Sequence, residues 1–232
     1  MKIWAGTSGY SYKEWKGNFY PSGLAAKDML SHYGERLPAV EINNTFYRLP
    51  RTSVMETWAA QVPEGFRFAI KASRRITHMK RLKNAEDETG YLLETAGVLG
   101  PRLGAVLFQL PPYLEADTGR LRGFLDTLPP DTRAAFEFRH PSWMETPVFE
   151  ALAERNCALC IADTEEGSPG IVRTADWGYL RLRRPAYTDA ELGDWKRAMS
   201  AEDWTDAFVF FKHEDDGAGP EMALRLLALE DA

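Results

Sequence analysis

The sequence predicts one closed parallel barrel of the (β/α)8 TIM type, formed by residues 1–232 as a single domain. Eight short apolar runs recur along the chain, and most end in a polar or charged residue that feeds a turn. Segments with helical spacing separate the runs, so strand and helix alternate as in a parallel sheet with helical crossovers. The 232-residue length lies close to the roughly 250 residues of such a barrel, and an apolar fraction of 44% can fill one core.

The apolar runs are residues 2–6, 39–43, 67–71, 105–109, 133–138, 158–162, 179–183 and 208–212. A helix is expected over 24–36, where Leu24, Met29, Leu30 and Tyr33 fall near helical spacing. Residues 52–60, 84–99 and 118–128 repeat that pattern, the last with Leu121, Phe124, Leu125 and Leu128 on one face. Residues 147–155 follow Thr146, an expected N-cap with Pro147 at the first helical position. Residues 189–199 and 220–229 complete the set. The sixth connection, 163–176, holds two glycines and a proline, so the crossover helix there is expected to be short or missing.

Side chains alternate between the faces of a strand. If the apolar face meets the helices, Val40, Ile42, Phe68, Ile70, Phe136, Phe138, Leu180 and Leu182 point outward. Glu41, Asn43, Arg67, Lys71, Glu137, Arg139, Tyr179, Arg181 and Arg183 then point inward. A polar upper interior follows. Its expected charges are Lys71, Arg139, Arg181 and Lys212 against Glu41, Glu137 and Asp163, with Arg183 adding to the positive side. Buried charge is costly unless paired, so pairs such as Glu41–Lys71 and Glu137–Arg181 are expected. The positive surplus predicts a small oxyanion contacted by Arg181, Arg139 or Lys212. Sites in this fold sit at the carboxyl ends of the strands.

Composition narrows the function classes. The formal net charge of −6 is the reverse of a dedicated nucleic-acid binder, leaving nucleic acid a disfavoured partner and a small anion the favoured one. No apolar stretch approaches a membrane span of about 18 residues, and the N-terminal apolar stretch is too short for a signal peptide. A cytoplasmic protein without a membrane partner is the expectation. Cys157 and Cys160 are read as two small, half-buried hydrophobes, since no second pair completes a metal site. His32 is expected on a helix surface, whereas His78, His140 and His213 follow strands 3, 5 and 8. No local His spacing supports a metal, so neither metal nor cofactor is assigned. Ser8 lacks a nucleophile elbow, and no Gly-rich phosphate loop occurs. Aromatics crowd the first loops. Tyr10 and Trp15 among them could stack on a sugar or base, and ordinary packing competes with that reading.

Six stretches resemble the YecE-like family, catalogued as domain of unknown function 72. They are Gly6-Thr-Ser-Gly-Tyr-Ser-Tyr, Glu41-Ile-Asn-Asn-Thr-Phe-Tyr, Phe68-Ala-Ile-Lys-Ala with Ile76-Thr-His, Leu107-Phe-Gln-Leu-Pro-Pro, Phe136-Glu-Phe-Arg-His-Pro-Ser-Trp and Tyr179-Leu-Arg-Leu. The resemblance spans nearly the whole chain. It implies a (β/α)8-type barrel and carries no established reaction. Its recurrent polar positions map onto Glu41, Asn43, Lys71, His78, Gln109, Glu137, Arg139, Asp163 and Arg181. This chain departs from it with Lys212-His213-Glu-Asp-Asp after strand 8 and Arg183-Arg184-Pro after strand 7, both of which alter the charge of the rim.

Three functions fit these residues. The first is acid–base chemistry on a small anionic ligand, a phosphorylated sugar or nucleotide-like molecule. In that reading Glu137, Lys71, Glu41 and Asp163 supply the chemistry. Asn43, His78, Gln109, Arg139, Arg181, Lys212, Tyr10 and Trp15 hold the ligand. The second is metal-assisted phosphodiester cleavage on nucleic acid, which rests on fold analogy. The third is a binding barrel without turnover.

Overall fold

The computed structural model describes residues 1–212 and 217–229. Its eight strands are β1 (Lys2–Ser8), β2 (Ala39–Ile42), β3 (Arg67–Lys71), β4 (Leu103–Gln109), β5 (Ala134–Glu137), β6 (Ala158–Asp163), β7 (Trp177–Leu182) and β8 (Asp206–Phe211). All pair in parallel and in sequence order, and β8 closes on β1 to complete a TIM-type barrel. The helices outside are α1 (Met29–Arg36), α2 (Thr52–Gln61), α3 (Glu86–Gly97), α4 (Thr118–Leu125), α5 (Thr146–Ala153), α6 (Asp189–Ser200) and α7 (Ala218–Ala228).

Two local expectations shift. Helix α1 begins at Met29, and the earlier residues 26–28 form a 3-10 turn. Thr146 is the first helical residue of α5 rather than its N-cap; Glu145 precedes it without a side-chain cap, and Pro147 takes the second position. Residues 164–176 between β6 and β7 carry a bridge from Thr164 to Gly167 and no helix. Thr174 ties this stretch to β6: its Oγ1 accepts from Leu159 N and donates to Cys157 O, each at 2.8 Å. Those bonds satisfy backbone groups that a crossover helix would otherwise shield. Among the described residues no helix is long and apolar enough to cross a membrane.

The alternation read from the sequence sets the two faces of the barrel. Val40, Ile42, Phe68, Ile70, Phe136, Leu180 and Leu182 join the outer core with the helices. A separate inner cluster holds Trp4, Ala39, Ala69, Ala105, Leu107, Ala135, Ala158, Cys160, Trp177, Tyr179, Phe208 and Phe210. Its large rings come from β1, β7 and β8, and its small side chains mostly from β2 to β6. The barrel is therefore filled by aromatics leaning from one half onto the alanines of the other. Gly104 belongs to this fit, since a Cβ there would meet the Phe208 ring at 2.7 Å. The amino end is plugged by Arg133, which pairs with both oxygens of Asp206 and lies 4.5 Å from the centroid of the Trp177 ring. Arg67, correctly read as inward, belongs to this end and stacks 4.6 Å from the Trp4 ring.

Tyr33 on α1 fastens β1 to β2. Its hydroxyl accepts from Thr7 N and donates to Ala39 O, both at 2.9 Å. Gly6 lies opposite Ala39, and a Cβ on it would fall 1.8 Å from the Ala39 carbonyl oxygen and 2.9 Å from the Tyr33 hydroxyl. Gly6→Ala should therefore separate two strands of a closed sheet. We expect a loss of about 3 kcal/mol, the upper end of ordinary overpacking, and a melting temperature lower by roughly 6–12 °C. Gly65→Ala, with no atom within 4 Å of its added Cβ, is the control and should stay within about 0.5 kcal/mol. Equal melting shifts for the two variants would contradict the strand-separation account.

Candidate functional site

The carboxyl ends of β2, β5 and β7 each deliver one buried charge to the same point. Glu41 and Glu137 lie on either side of Arg181. Arg181 Nη1 donates to Glu137 Oε2 at 2.5 Å, and Nη2 donates to Glu41 Oε1 at 2.9 Å. All three side chains are almost wholly buried. Glu41 also accepts from Ser8 Oγ at 2.8 Å, Tyr179 Oη at 2.8 Å and Asn43 Nδ2 at 3.1 Å. Glu137 accepts from Gln109 Nε2 at 2.8 Å and Arg139 Nε at 3.1 Å, with Arg183 Nη1 4.0 Å away. Both carboxylates are thus held by converging donors, which is what makes buried charge tolerable.

Protonation follows from this geometry. Burial alone would raise Glu137, but the charges of Arg181 and Arg139 and the Gln109 hydrogen bond bring it down to about 2. Glu41 is likewise held below its usual range against its own burial, chiefly by Arg181 and the hydroxyl of Tyr179. Arg181 is pushed up by the two carboxylates despite burial. Both acids are fixed as anions at neutral pH. Glu137 therefore serves as a charge anchor and is ill suited to the acid or base role expected of it.

Lys71, at the end of β3, behaves differently. It is half-buried and, among the described residues, its ammonium has neither ion pair nor hydrogen bond. Its Nζ lies 4.5 Å from the centroid of the Phe46 ring. Burial and the Arg181 charge lower it to about 8, while Glu41 and Glu137 act in the opposite sense. His78, on a π turn at Arg75–Met79, has its ring 4.9 Å from that of Phe46. Its Nδ1 pairs with Thr77 Oγ1 at 2.9 Å, and burial followed by Lys71 and Arg139 lowers its pKa.

Beside this cluster a cavity of about 470 Å³ is lined by Glu137, Arg139, Arg183, Lys212, Glu165 and Glu166, among others. A second cavity of about 220 Å³ lies over Tyr10, Tyr12 and Asn43. Glu41, Glu137 and Arg181 converge with Lys71 nearby, and the Glu137–Arg181 pair is present, but of these four expected to share one cavity only Glu137 lines the larger one. The expected Glu41–Lys71 pair is not formed: Arg181 takes Glu41, and Lys71 lies against Phe46. Arg181 is therefore occupied by carboxylates, whereas Arg139, Arg183 and Lys212 line the larger cavity.

Two placements correct the sequence reading. Asp163 follows Leu159 and Ile161 onto the outer face. It accepts from Arg184 Nε at 2.8 Å and Tyr187 Oη at 2.7 Å, away from the cluster. Trp15 is 0% exposed and packed against Tyr12, Phe19 and Tyr20, so it offers no stacking face. Tyr10 lines the smaller cavity, and its hydroxyl is hydrogen-bonded to Trp58 of α2. Cys157 and Cys160 are fully buried thiols, one in each core, and burial raises both. His140 Nδ1 pairs with Ser142 Oγ at 2.8 Å, and His213 lies outside the described residues. Among the described residues no three His, Cys, Asp or Glu side chains are grouped to hold a metal ion.

Sequence reasoning left Ser8, Phe46 and Tyr179 out of the site. Ser8 was within reach, because alternation from Trp4 points it inward next to Glu41. Phe46 follows β2 in a 3-10 turn, and no periodicity reports its contact with Lys71.

A family model described as "Protein of unknown function DUF72" matches residues 4–231. The UPF0759 protein YunF of Bacillus subtilis (strain 168) is 25% identical, over 99% of this chain and 95% of its own length. The UPF0759 protein YecE of Escherichia coli (strain K12) is 33% identical over a segment covering 49% of this chain and 42% of its own. A solved DUF72 family protein from Thermotoga maritima MSB8 superposes with a TM-score of 0.86 at 23% identity, covering 98% of both chains. Another, from Enterococcus faecalis V583, gives 0.78 at 21% identity over 99% of this chain and 97% of its own. At such identities these structures bear on the fold alone.

The buried triad makes a pH-dependent prediction. Glu137 ionises at about 2 when folded and about 4.3 when unfolded. Its pairing therefore stabilises the protein above the unfolded value and fades as pH falls toward 2. Arg181→Met leaves two buried carboxylates facing each other, and burial then raises both. We expect a loss of about 3–5 kcal/mol at pH 7, the usual cost of breaking a buried pair, with part recovered near pH 4 as the acids protonate. Denaturant melts at both pH values check this; an equal loss at each would refute it.

Proposed function

This chain belongs to the DUF72 family, and we propose that its barrel mouth is an enzyme site performing acid–base chemistry on a small anionic ligand, phosphorylated sugar-like or nucleotide-like in class. The observation that carries this reading is the crowding of cations at the mouth. Lys71 and Arg183 are both driven toward their neutral forms, first by burial and then by the charge of Arg181. The Glu41–Arg181–Glu137 triad carries one net negative charge, which any one of Lys71, Arg139 and Arg183 offsets. The other cations gain from an anion, and the fork of an arginine suits phosphate or carboxylate. Glu165 and Glu166 at the cavity lip are exposed, so water screens them more than the inner charges.

In this reading Arg139, Arg183 and Lys212 hold the anionic group in the larger cavity. Lys71 moves the proton, because a group titrating near 8 exchanges protons readily at neutral pH. Glu41, Glu137 and Arg181 are positioning residues: they fix the electrostatic setting of Lys71. Asn43 and Gln109 orient the carboxylates. His78, neutral at pH 7, is a second proton acceptor beside the Phe46 ring.

Calorimetric titration of the full chain with inorganic phosphate and simple sugar phosphates tests the proposal. Wild type should bind. Arg183→Ala or Arg139→Ala should weaken binding by about 1.5–3 kcal/mol, the scale of a hydrogen bond to a charged group. Affinity should be highest below about 8 and fall as pH rises through that value and Lys71 loses its proton. Absence of binding by wild type, or affinity indifferent to both arginines, would refute this function.

A further inference from the structure

Resting on the anion-binding reading above, we propose that Lys71 is a covalent site, condensing with the carbonyl of a small aldehyde or ketone that carries an anionic group. Geometry is the ground for this. A lysine that only holds charge is normally met by a carboxylate or by carbonyl oxygens. Here the two nearest carboxylates are engaged by Arg181, Arg139, Tyr179, Ser8, Asn43 and Gln109. Among the described residues Lys71 Nζ is left with the Phe46 ring at 4.5 Å as its neighbour. The amine extends from the strand end, half-buried, with its backbone carbonyl accepting from Thr45 Oγ1 at 2.7 Å. That bond joins the root of the side chain to the turn carrying Phe46, so root and ring are fixed together.

The surroundings suit both ends of an imine-forming step. Arg181 and burial favour the unprotonated amine that must attack a carbonyl carbon. Glu41 and Glu137, permanently ionised, favour the positive charge of the product. The nitrogen lone pair forms the C–N bond while the carbonyl oxygen takes a proton through water. The nitrogen then gives up a proton to water, and the electron pair freed from that N–H bond expels the hydroxyl as water once the oxygen has taken a second proton. Counted from the ammonium form of Lys71, one carbonyl compound and one ammonium give one protonated imine and one water, with no net proton or electron. The cations of the adjoining cavity, Arg139, Arg183 and Lys212, would take the substrate's anionic group. The imine nitrogen is an electron sink for the bond next to the former carbonyl, and His78, with its ring 4.9 Å from Phe46 and its pKa lowered by burial, is the neighbouring proton acceptor.

Pyridoxal 5′-phosphate is a suitable probe, an aldehyde with a phosphate, used on the full chain and followed by borohydride reduction and peptide mass mapping. An amine at about 8 is unprotonated near neutral pH on the order of a hundred times more often than an ordinary lysine at about 10.4. Lys71 should therefore be labelled about 10-fold or more faster than exposed Lys13 and Lys27. Inorganic phosphate should slow labelling, and Lys71→Arg should remove that adduct from a protein that still melts cooperatively near the wild-type temperature. Labels spread over surface lysines without preference, or no label at Lys71 in a protein that binds phosphate, would overturn the covalent role and leave the anion reading standing. Labelling of Lys71 that phosphate leaves unchanged would overturn the anionic-substrate claim here and the reading it rests on.

Discussion

The clamp of Glu41 and Glu137 on Arg181 is the contact on which the rest of the mouth depends. It joins β2, β5 and β7 across the barrel interior, so three strands that share no direct pairing are fixed relative to one another. Two carboxylates without the arginine would repel and protonate; the arginine without them would be a desolvated cation. Once the clamp is made, both acids are locked as anions. Among the groups around them, Lys71 and His78 have lowered pKa values.

The clamp is strong because of what lies beneath it. Tyr179 and Phe210, their ring centroids 5.4 Å apart, form an apolar floor under Arg181. Below them Phe208, Trp177 and Trp4 fill the barrel to its amino end. Such a floor keeps water from approaching the clamp from below, so its charges interact in a low-dielectric setting. The alanines of β2 to β6 serve the same end. Their small side chains admit the rings of β7, β8 and β1, and the interior needs no polar filler. Tyr179 takes part in both layers, with its ring in the floor and its hydroxyl on Glu41.

Much of this was legible in the sequence, and the failures have identifiable causes. Strands β2, β3, β5 and β7 alternate apolar and polar residues, so the inward register of Glu41, Lys71, Glu137 and Arg181 could be read directly. In β6 Leu159 and Ile161 face the helices while Ala158 and Cys160 face in. Both faces are apolar, so polarity lent no direction to Asp163. Counting alternate positions from Ile161 does place it outward. The partner of Glu41 was beyond reach for another reason. Which charge crosses the interior depends on strand tilt and stagger, and no local pattern encodes those. Trp15 failed for a third: a large aromatic in a loop reads alike whether it stacks on a ligand or on Phe19 and Tyr20.

The outward turn of Asp163 also explains how the larger cavity is supported beside a stretch without a helix. Residues 164–176 cover β6 and β7 on that side with Ile171 and Val172 in place of a helix. Asp163 supplies an alternative brace. Its carboxylate holds Arg184 and Tyr187, Arg184 reaches on to Glu191 at 2.8 Å, and Glu191 closes the capping box with Thr188 at the start of α6. Its carbonyl accepts from Arg183 N at 2.8 Å. The backbone of Arg183 is thus fixed from the outer face while its side chain lines the cavity with Thr164, Glu165 and Glu166. Asp163 acts on the mouth from behind. The residue the sequence placed among the reacting groups instead sets the position of an arginine that lines the larger cavity.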